Sequence, residues 1–158
     1  MAYTARSKDN PGDVGRAADQ NQSVDNDTLF RASGIHVQVE PFGWIAQTDC
    51  AVGDDVITPI IIPIAINGMA LIWVECAVET AGVTTTMDIM VRKNAATDML
   101  STVLTLDSTE TNSSTAAAPV VIKTDGSEDV VTGDVIHFDI DSIHTTPAKG
   151  LIITARFG

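Results

Sequence analysis

The side chains best suited to chemistry are His137, Asp139 and Asp141, which occupy alternate positions near the C-terminus. If this stretch is a β-strand, all three project from the same face of a sheet. An imidazole and two carboxylates placed in this way could hold a metal ion with help from ligands elsewhere in the chain. The simpler interpretation is that they form the solvated side of an exposed strand. We adopt that interpretation and predict no metal ligand.

Established catalytic motifs are missing from the sequence. It contains no Gly-x-Ser-x-Gly, no His-Glu-x-x-His, no phosphate-binding Gly-Lys loop and no Cys-x-x-Cys. The acidic residues 125–129 could hold Ca²⁺ weakly, but they do not follow the EF-hand spacing. Trp44 and Trp73 could stack on a sugar, although aromatic residues more often belong to a core or an interface. We therefore predict no enzymatic activity, no catalytic residue and no cofactor.

Cys50 and Cys76 are the two cysteines of the chain. One disulfide could join them, but their separation in space cannot be read from the sequence. The simpler expectation is that both are reduced, with Cys76 a small buried hydrophobe on a strand and Cys50 in a loop.

The chain is acidic and long enough for one domain with a substantial core. Its 158 residues carry a formal net charge of −12. Residues 1–33 hold four basic and five acidic groups, whereas the remainder holds five basic and sixteen acidic groups. Because such a body repels phosphate backbones, we expect no nucleic-acid partner. The first ten residues are polar, so we expect no signal peptide.

Residues 56–74 are apolar almost throughout and nearly as long as a membrane-spanning helix. Pro59, Pro63 and the pair Asn67-Gly68 argue against such a helix. Asn-Gly between two β-branched runs favours a hairpin with a two-residue type I′ turn. In the register that this turn imposes, both prolines fall where no N–H is required. We predict a β-hairpin and no membrane partner.

This hairpin would have two apolar faces. One face carries the residues that we predict to form a subunit interface, namely Ile60, Ile62, Ile64, Leu71 and Trp73. The other carries Ile61, Pro63, Ala65, Ile72, Val74 and Val78. Because monomers rarely expose so broad an apolar surface, we predict a homo-oligomer. The alternative is that a loop or the N-terminal segment covers the second face.

Short segments with strand-like alternation recur along the rest of the chain. Apolar and polar residues alternate at 35–42, 84–92, 131–141 and 145–157, and shorter apolar runs lie near Leu104 and Val120. No convincing amphipathic helix accompanies them. We predict an all-β fold over residues 34–158, a jelly-roll or other Greek-key sandwich of about eight antiparallel strands.

Residues 1–33 differ in kind from this sandwich. They are polar and almost free of aliphatic side chains, so they cannot bury enough surface to fold alone. We predict an extended or disordered N-terminal arm. A tail without a role is one interpretation; the functional one is an arm that orders on a larger assembly through Tyr3, Leu29 and Phe30.

Two stretches carry strand and turn patterns of a known family. The first runs from Thr132-Gly133-Asp134 through Asp139-Ile140-Asp141 to Thr146-Pro147-Ala148-Lys149-Gly150-Leu151, and the second joins Met99-Leu100-Ser101-Thr102 to Leu104-Thr105-Leu106-Asp107. Together they cover about the C-terminal third of the chain and resemble the jelly-roll capsid decoration (cement) proteins of tailed bacteriophages. That resemblance implies trimers on the outer face of the shell, over junctions between major capsid proteins. It implies no catalytic residues.

The resemblance leads to a structural function. We predict a capsid-stabilising homotrimer on the outer capsid surface of a virion, made in the host cytoplasm, whose partners are its own copies and the major capsid protein. The arm would then contact the capsid or a neighbouring subunit. The alternative is a tail fibre or spike knob, or an adhesin, that binds host-surface carbohydrate through loops around residues 109–117. An enzyme is the weakest hypothesis.

Overall fold

The protein is built from short antiparallel strands. The computed structural model describes the backbone of residues 35–39 and the whole of residues 48–158; the arm predicted over residues 1–33 lies outside these ranges. The strands are β1 (Ile35–Val39), β2 (Ile60–Ile61), β3 (Leu71–Thr80), β4 (Met87–Lys93), β5 (Thr97–Asp98), β6 (Leu100–Thr102), β7 (Leu104–Leu106), β8 (Val121–Ile122), β9 (Val135–Ser142) and β10 (Lys149–Phe157). Two short 3-10 helices span Ile64–Ile66 and Ser113–Thr115. The predicted all-β class is confirmed.

The strands form three antiparallel sheets. The first has the order β1-β10-β3, and the second has the order β2-β9-β4-β5 with β7 also paired to β4. The third joins β6 to β8. Consecutive long strands, β3 with β4 and β9 with β10, lie in different sheets, which is how a chain builds a layered fold. The jelly-roll connection pattern stays a prediction.

One buried cluster contains inward-facing residues of both larger sheets. Three apolar residues of β4, Met87, Ile89 and Val91, are fully buried, while the residues between them are half-buried. The second sheet adds Ile136, Phe138 and Ile140 from β9, and the first sheet adds Leu151, Ile153, Ala155 and Phe157 from β10. The alternation that predicted these three strands is confirmed, because side chains at every second position share one face.

The hairpin predicted at Asn67-Gly68 does not form, and this part of the prediction is wrong. β2 pairs with β9 in the second sheet, whereas β3 pairs with β10 in the first sheet. The two apolar runs therefore leave the turn toward different layers. Between them, Pro63 precedes a 3-10 turn that directs the chain from one sheet to the other.

The geometry of the turn explains the error. Asn67 has φ −59° and ψ 127°, and Gly68 has φ 77°, which is a type II turn. Both type II and type I′ turns place glycine at the second central position, so Asn-Gly alone does not distinguish them. Only the primed turns match the twist of two paired strands. The positive φ at two successive positions that a type I′ turn requires occurs instead at Asn94-Ala95, between β4 and β5, with φ 54° and 57°.

The edge of β3 is covered by the segment that contains the second 3-10 helix. The N–H of Cys76 donates to Oγ of Ser113 at 2.9 Å, and the N–H of Val78 donates to the carbonyl of Thr111 at 3.0 Å. These hydrogen bonds satisfy backbone groups that an open edge would present to another strand. They also fix residues 111–115 against the first sheet.

Candidate functional site

The most exposed large apolar side chains of the described residues are Ile64 and Ile61, at 81% and 69%. Val131 is 55% exposed and lies on a segment that is hydrogen-bonded to theirs. Pro63, between the two isoleucines, and Ala65, directly after Ile64, are also exposed. Exposed apolar surface on a folded domain is typical of a contact surface when several such side chains are adjacent. We call this set the apolar end: Ile61, Pro63, Ile64, Ala65 and Val131.

The backbone under the apolar end is fixed by hydrogen bonds between two segments. The N–H of Ile62 donates to the carbonyl of Asp134 at 2.8 Å, and the N–H of Gly68 donates to the carbonyl of Val130 at 2.9 Å. Oδ1 of Asn67 accepts from the N–H of Thr132 at 2.8 Å. The apolar end is therefore a preformed surface, and a partner that binds it has little backbone to order.

Asp134 adds side-chain hydrogen bonds to the backbone of the apolar end. Its Oδ2 accepts from the N–H of Val131 at 2.9 Å, and its Oδ1 accepts from Nδ2 of Asn94 at 2.8 Å. These hydrogen bonds favour the ionised carboxylate and hold the pKa of Asp134 below its ordinary value, with the Val131 bond the larger cause. Asp134 thus links the apolar end to the turn after β4.

The predicted subunit-interface residues do not share one face. Ile62 and Leu71 are buried in the chain's own core, at 1% and 2% exposure, so including them in an interface was wrong. The prediction failed there because it depended on the hairpin register. Ile60 is half-buried, Ile64 lies at the apolar end, and Trp73 lies on the first sheet. For these three residues, contact with another subunit stays a prediction.

A network of ion pairs joins the second sheet to the segment before β2. Nη1 of Arg92 lies 2.7 Å from Oδ2 of Asp139, and Nε of Arg92 donates to Oδ1 of Asp98 at 2.9 Å. The N–H of Asp55 donates to the second carboxylate oxygen of Asp139 at 3.1 Å. Nδ1 of His137 lies 2.5 Å from Oδ1 of Asp55. We call these five residues the Arg92 network.

The Arg92 network corrects the interpretation of His137, Asp139 and Asp141 as the wet side of a strand. Asp139 is 3% exposed, and both of its oxygens have donors. Asp141 does lie at the surface. Its pKa is raised, first by partial burial and then by the negative charge of neighbours such as Asp139, with Arg92 opposing the shift. The hydrogen bond to Asp98 raises the pKa of Arg92 further.

The donors in the Arg92 network already occupy its carboxylates. The guanidinium of Arg92 balances the charge of the buried Asp139, and the backbone N–H of Asp55 donates to its other oxygen. A buried charge requires both an opposite charge and hydrogen bonds of this kind. Within residues 48–158, no group of three or more His, Cys, Asp or Glu side chains is arranged to hold a metal ion. What the geometry supports is a structural clamp between β4, β9 and Asp55.

The acidic turn at residues 125–129 is hydrogen-bonded within itself. Oδ1 of Asp125 accepts from the N–H of Ser127 at 3.0 Å, and Oε2 of Glu128 accepts from the N–H of Gly126 at 2.9 Å. Hydrogen bonding from Ser127 lowers the pKa of Asp125. Nζ of Lys93 donates to the carbonyl of Asp129 at 2.6 Å. These contacts shape a turn and leave the Ca²⁺ hypothesis without support.

Both cysteines are buried free thiols. Desolvation raises the pKa of Cys50 to about 11 and that of Cys76 to about 12, so both are protonated at neutral pH. Cys76 lies on β3, as predicted, and faces the core. A thiol that is protonated and enclosed is a poor nucleophile, so the geometry gives neither cysteine a chemical role.

A groove lies where β3 meets the segment that covers its edge. Its volume is about 210 Å³, and its lining includes Trp73, Glu75, Ser113, Ser114 and Pro119. Trp73 and Glu75 lie two positions apart on β3 and point away from the core, and Trp73 is 39% exposed. The opposite wall belongs to the loop around residues 109–117 that the carbohydrate alternative named. Sequence patterns did not place this loop beside Trp73, because the contact is between segments about forty residues apart.

Four aromatic or aliphatic residues named from the sequence lie outside the described residues: Tyr3, Leu29, Phe30 and Trp44. Their proposed contacts stay predictions. In the described ranges, none of the helices has the length and apolarity needed to cross a bilayer. The apolar run at residues 56–74 is divided among β2, a 3-10 helix and β3.

Comparisons with known proteins give the site no further identification. We found no match to this chain among protein-family models, among curated proteins or among solved structures.

Proposed function

We propose that this chain is a structural virion protein, a capsid decoration (cement) protein that binds the outer face of a phage head as a homotrimer. The observation that carries the proposal is the apolar end, with Ile64 81% exposed on a backbone that hydrogen bonds hold in place. A preformed apolar surface of this kind fits a permanent protein contact. The resemblance of the C-terminal strands to cement proteins is the reason for proposing a capsid protein as the partner. It is also the reason for proposing a trimer.

Charge distribution supports a protein partner. The net charge of −12 disfavours nucleic acid and anionic membrane surfaces as partners. The apolar end itself contains no charged residue. Binding there would bury apolar side chains without leaving a carboxylate unpaired, which is the condition for a favourable interface core.

The mechanism of stabilisation is mass action. A ligand that binds the mature, expanded shell but not its dissociated subunits lowers the free energy of the assembled state. Many identical sites on one shell multiply this effect. The arm, through Tyr3, Leu29 and Phe30, would extend each subunit's contact to the capsid or to a neighbouring decoration subunit.

Co-sedimentation with purified expanded shells tests the proposal. We expect the wild-type chain to pellet with shells and Ile64→Asp to remain in the supernatant. A charge at the apolar end would be desolvated when the subunits associate, and a single subunit binds the shell more weakly than three linked copies. Val83→Asp is the matched control, since Val83 is 45% exposed in the loop after the far end of β3. It should pellet like the wild type.

Two results would count against the proposal. If the wild type fails to pellet with shells but binds host cells, the fibre, spike or adhesin alternative is favoured. If Ile64→Asp and Val83→Asp pellet equally, the apolar end is not the contact surface. Deleting residues 1–30 tests the arm separately. Unchanged occupancy of the shell would show that the arm is not needed for attachment.

A further inference from the structure

We propose that Asn67-Gly68 is a site of spontaneous deamidation, and that the folded turn protects it until its contacts with residues 130–134 open. One product, isoaspartate at position 67, would add an atom to the backbone beneath the apolar end and so disturb its fixed conformation. This inference concerns a covalent modification and does not depend on attachment to a shell.

The reaction is an attack within the chain. The backbone nitrogen of Gly68 loses its proton and bonds to Cγ of Asn67, and Nδ2 of Asn67 leaves as ammonia. Water then opens the resulting five-membered succinimide ring at either carbonyl, which gives aspartate or isoaspartate. One water is consumed and one ammonia is released, so solvent is the only co-reactant. Gly68 has no side chain to hinder ring closure, and Asn67 is exposed to water.

The conformation of the turn opposes ring closure. A five-membered ring that contains Cα, Cβ and Cγ of Asn67 and the nitrogen of Gly68 requires ψ of residue 67 near −120°, roughly the value at this position of a type II′ turn. Asn67 instead has ψ 127°, as in a type II turn, which directs the nitrogen of Gly68 away from the side chain. The peptide unit between the two residues must therefore rotate before the atoms can react.

Hydrogen bonds to the neighbouring segment hold the turn in this unreactive conformation. The N–H of Gly68 donates to the carbonyl of the buried Val130 at 2.9 Å, so the proton that must leave is bound within the chain. Oδ1 of Asn67 accepts from the N–H and the hydroxyl of Thr132, at 2.8 and 3.1 Å. Since both reacting groups are held, the rate of reaction follows the fraction of molecules in which this region is locally open.

The two products differ in their effect on the apolar end. Aspartate at position 67 keeps the length of the main chain, and its carboxylate can still accept hydrogen bonds from Thr132. Isoaspartate routes the main chain through Cβ, which lengthens the turn between Ile66 and Gly68. Because this turn joins β2 to β3, we expect isoaspartate to loosen the backbone on which Ile64 is displayed.

Peptide mass spectrometry after incubation at mildly alkaline pH tests the inference, with isoaspartyl methyltransferase labelling to identify the product. The chain unfolded in guanidinium chloride should be modified at position 67, and the native chain should react more slowly by about tenfold or more. Asp134→Ala removes the acceptor of the Val131 N–H. It should accelerate the native reaction about fivefold, because residues 130–134 then open more often.

Asp98→Ala is the control, since it removes a half-exposed carboxylate from the Arg92 network and leaves residues 130–134 intact. It should react at the wild-type rate. The isoaspartate fraction should melt below the unmodified chain, whereas Asn67→Asp should melt close to it.

Four results would overturn the inference. The native chain reacts as fast as the unfolded chain, or neither forms a product at position 67. Asp134→Ala and Asp98→Ala react at the same rate, or the isoaspartate fraction melts with the unmodified chain.

Discussion

The Arg92 network and the apolar end both include residues of the second sheet, but their chemistry is opposite. In the network, Asp139 is 3% exposed and each of its oxygens has a donor within the chain. At the apolar end, Ile61 and Ile64 are the most exposed large apolar side chains of the described residues. In the Arg92 network, polar groups that are costly to bury have hydrogen-bond partners within the chain. At the apolar end, apolar side chains remain in contact with water.

This difference separates structural residues from candidate binding residues. A carboxylate that is already neutralised has little to gain from an external ligand. An apolar side chain held in water by a fixed backbone gains from any partner that removes it from solvent. Charged residues at alternate positions of β9 were the first candidates for function in the sequence, yet the apolar end is the better candidate in the structure.

Isoleucines two positions apart should show the largest contrast in stability. Ile62→Ala should lower the free energy of unfolding by about 3 to 4 kcal/mol, because Ile62 is fully buried and its loss leaves a cavity. Ile64→Ala should change the stability of a single subunit by less than about 0.5 kcal/mol. Urea denaturation at two protein concentrations measures both values. The Ile62 effect should be the same at both concentrations, whereas any Ile64 effect should depend on concentration, as loss of association does.

Removal of Arg92 should be the next largest change. Arg92→Ala leaves the buried Asp139 without its cation and should lower the free energy of unfolding by about 2 to 3 kcal/mol, discounted because the arginine side chain is 29% exposed. Asp98→Ala is the matched control. It removes a partner that is 43% exposed, so solvent screening should keep its effect below about 1 kcal/mol.

Equal effects of Arg92→Ala and Asp98→Ala would contradict the assignment of the network as a clamp on a buried charge. A gain in stability on adding Ca²⁺ or Mg²⁺ to the wild type would contradict it as well. The second result would reopen the metal hypothesis for His137, Asp139 and Asp141.

Asp134 should give a smaller effect that depends on pH. Its folded-state pKa lies below the ordinary value, so its contribution is complete above about pH 4 and is lost as pH falls through the folded pKa. Asp134→Ala should cost about 1 kcal/mol at neutral pH through the lost hydrogen bonds to Val131 and Asn94. Thermal melts at pH 7 and pH 3 should show a smaller difference between variant and wild type at pH 3. A difference that grows at pH 3 would show that the sign is wrong.

Local alternation predicted the long strands because it records which side of a strand is buried. Met87, Ile89 and Val91 illustrate this, since each lies in the core as its position required. Alternation did not predict which strands pair with each other. The same Asn-Gly pair is compatible with a hairpin and with the type II turn that separates β2 from β3, and only contacts with β9 and β10 decide between them.

The candidate sites were harder to predict because they join distant segments. Asp139 contacts Arg92 and Asp55, which are 47 and 84 residues away in the chain. The groove joins Trp73 to a loop that follows it by about forty residues. What the sequence could indicate was an excess of apolar surface between residues 56 and 78, and Ile61 and Ile64 of the apolar end are its most exposed large side chains.

The proposed function requires that copies of this chain associate through the apolar end. Size-exclusion chromatography with light scattering measures it directly, on the wild type and on Ile64→Asp. We expect a wild-type mass of three times the 16.7 kDa chain and a variant that elutes as a single chain. A wild type that stays at 16.7 kDa at high concentration, or a trimer that Ile64→Asp leaves intact, would contradict it.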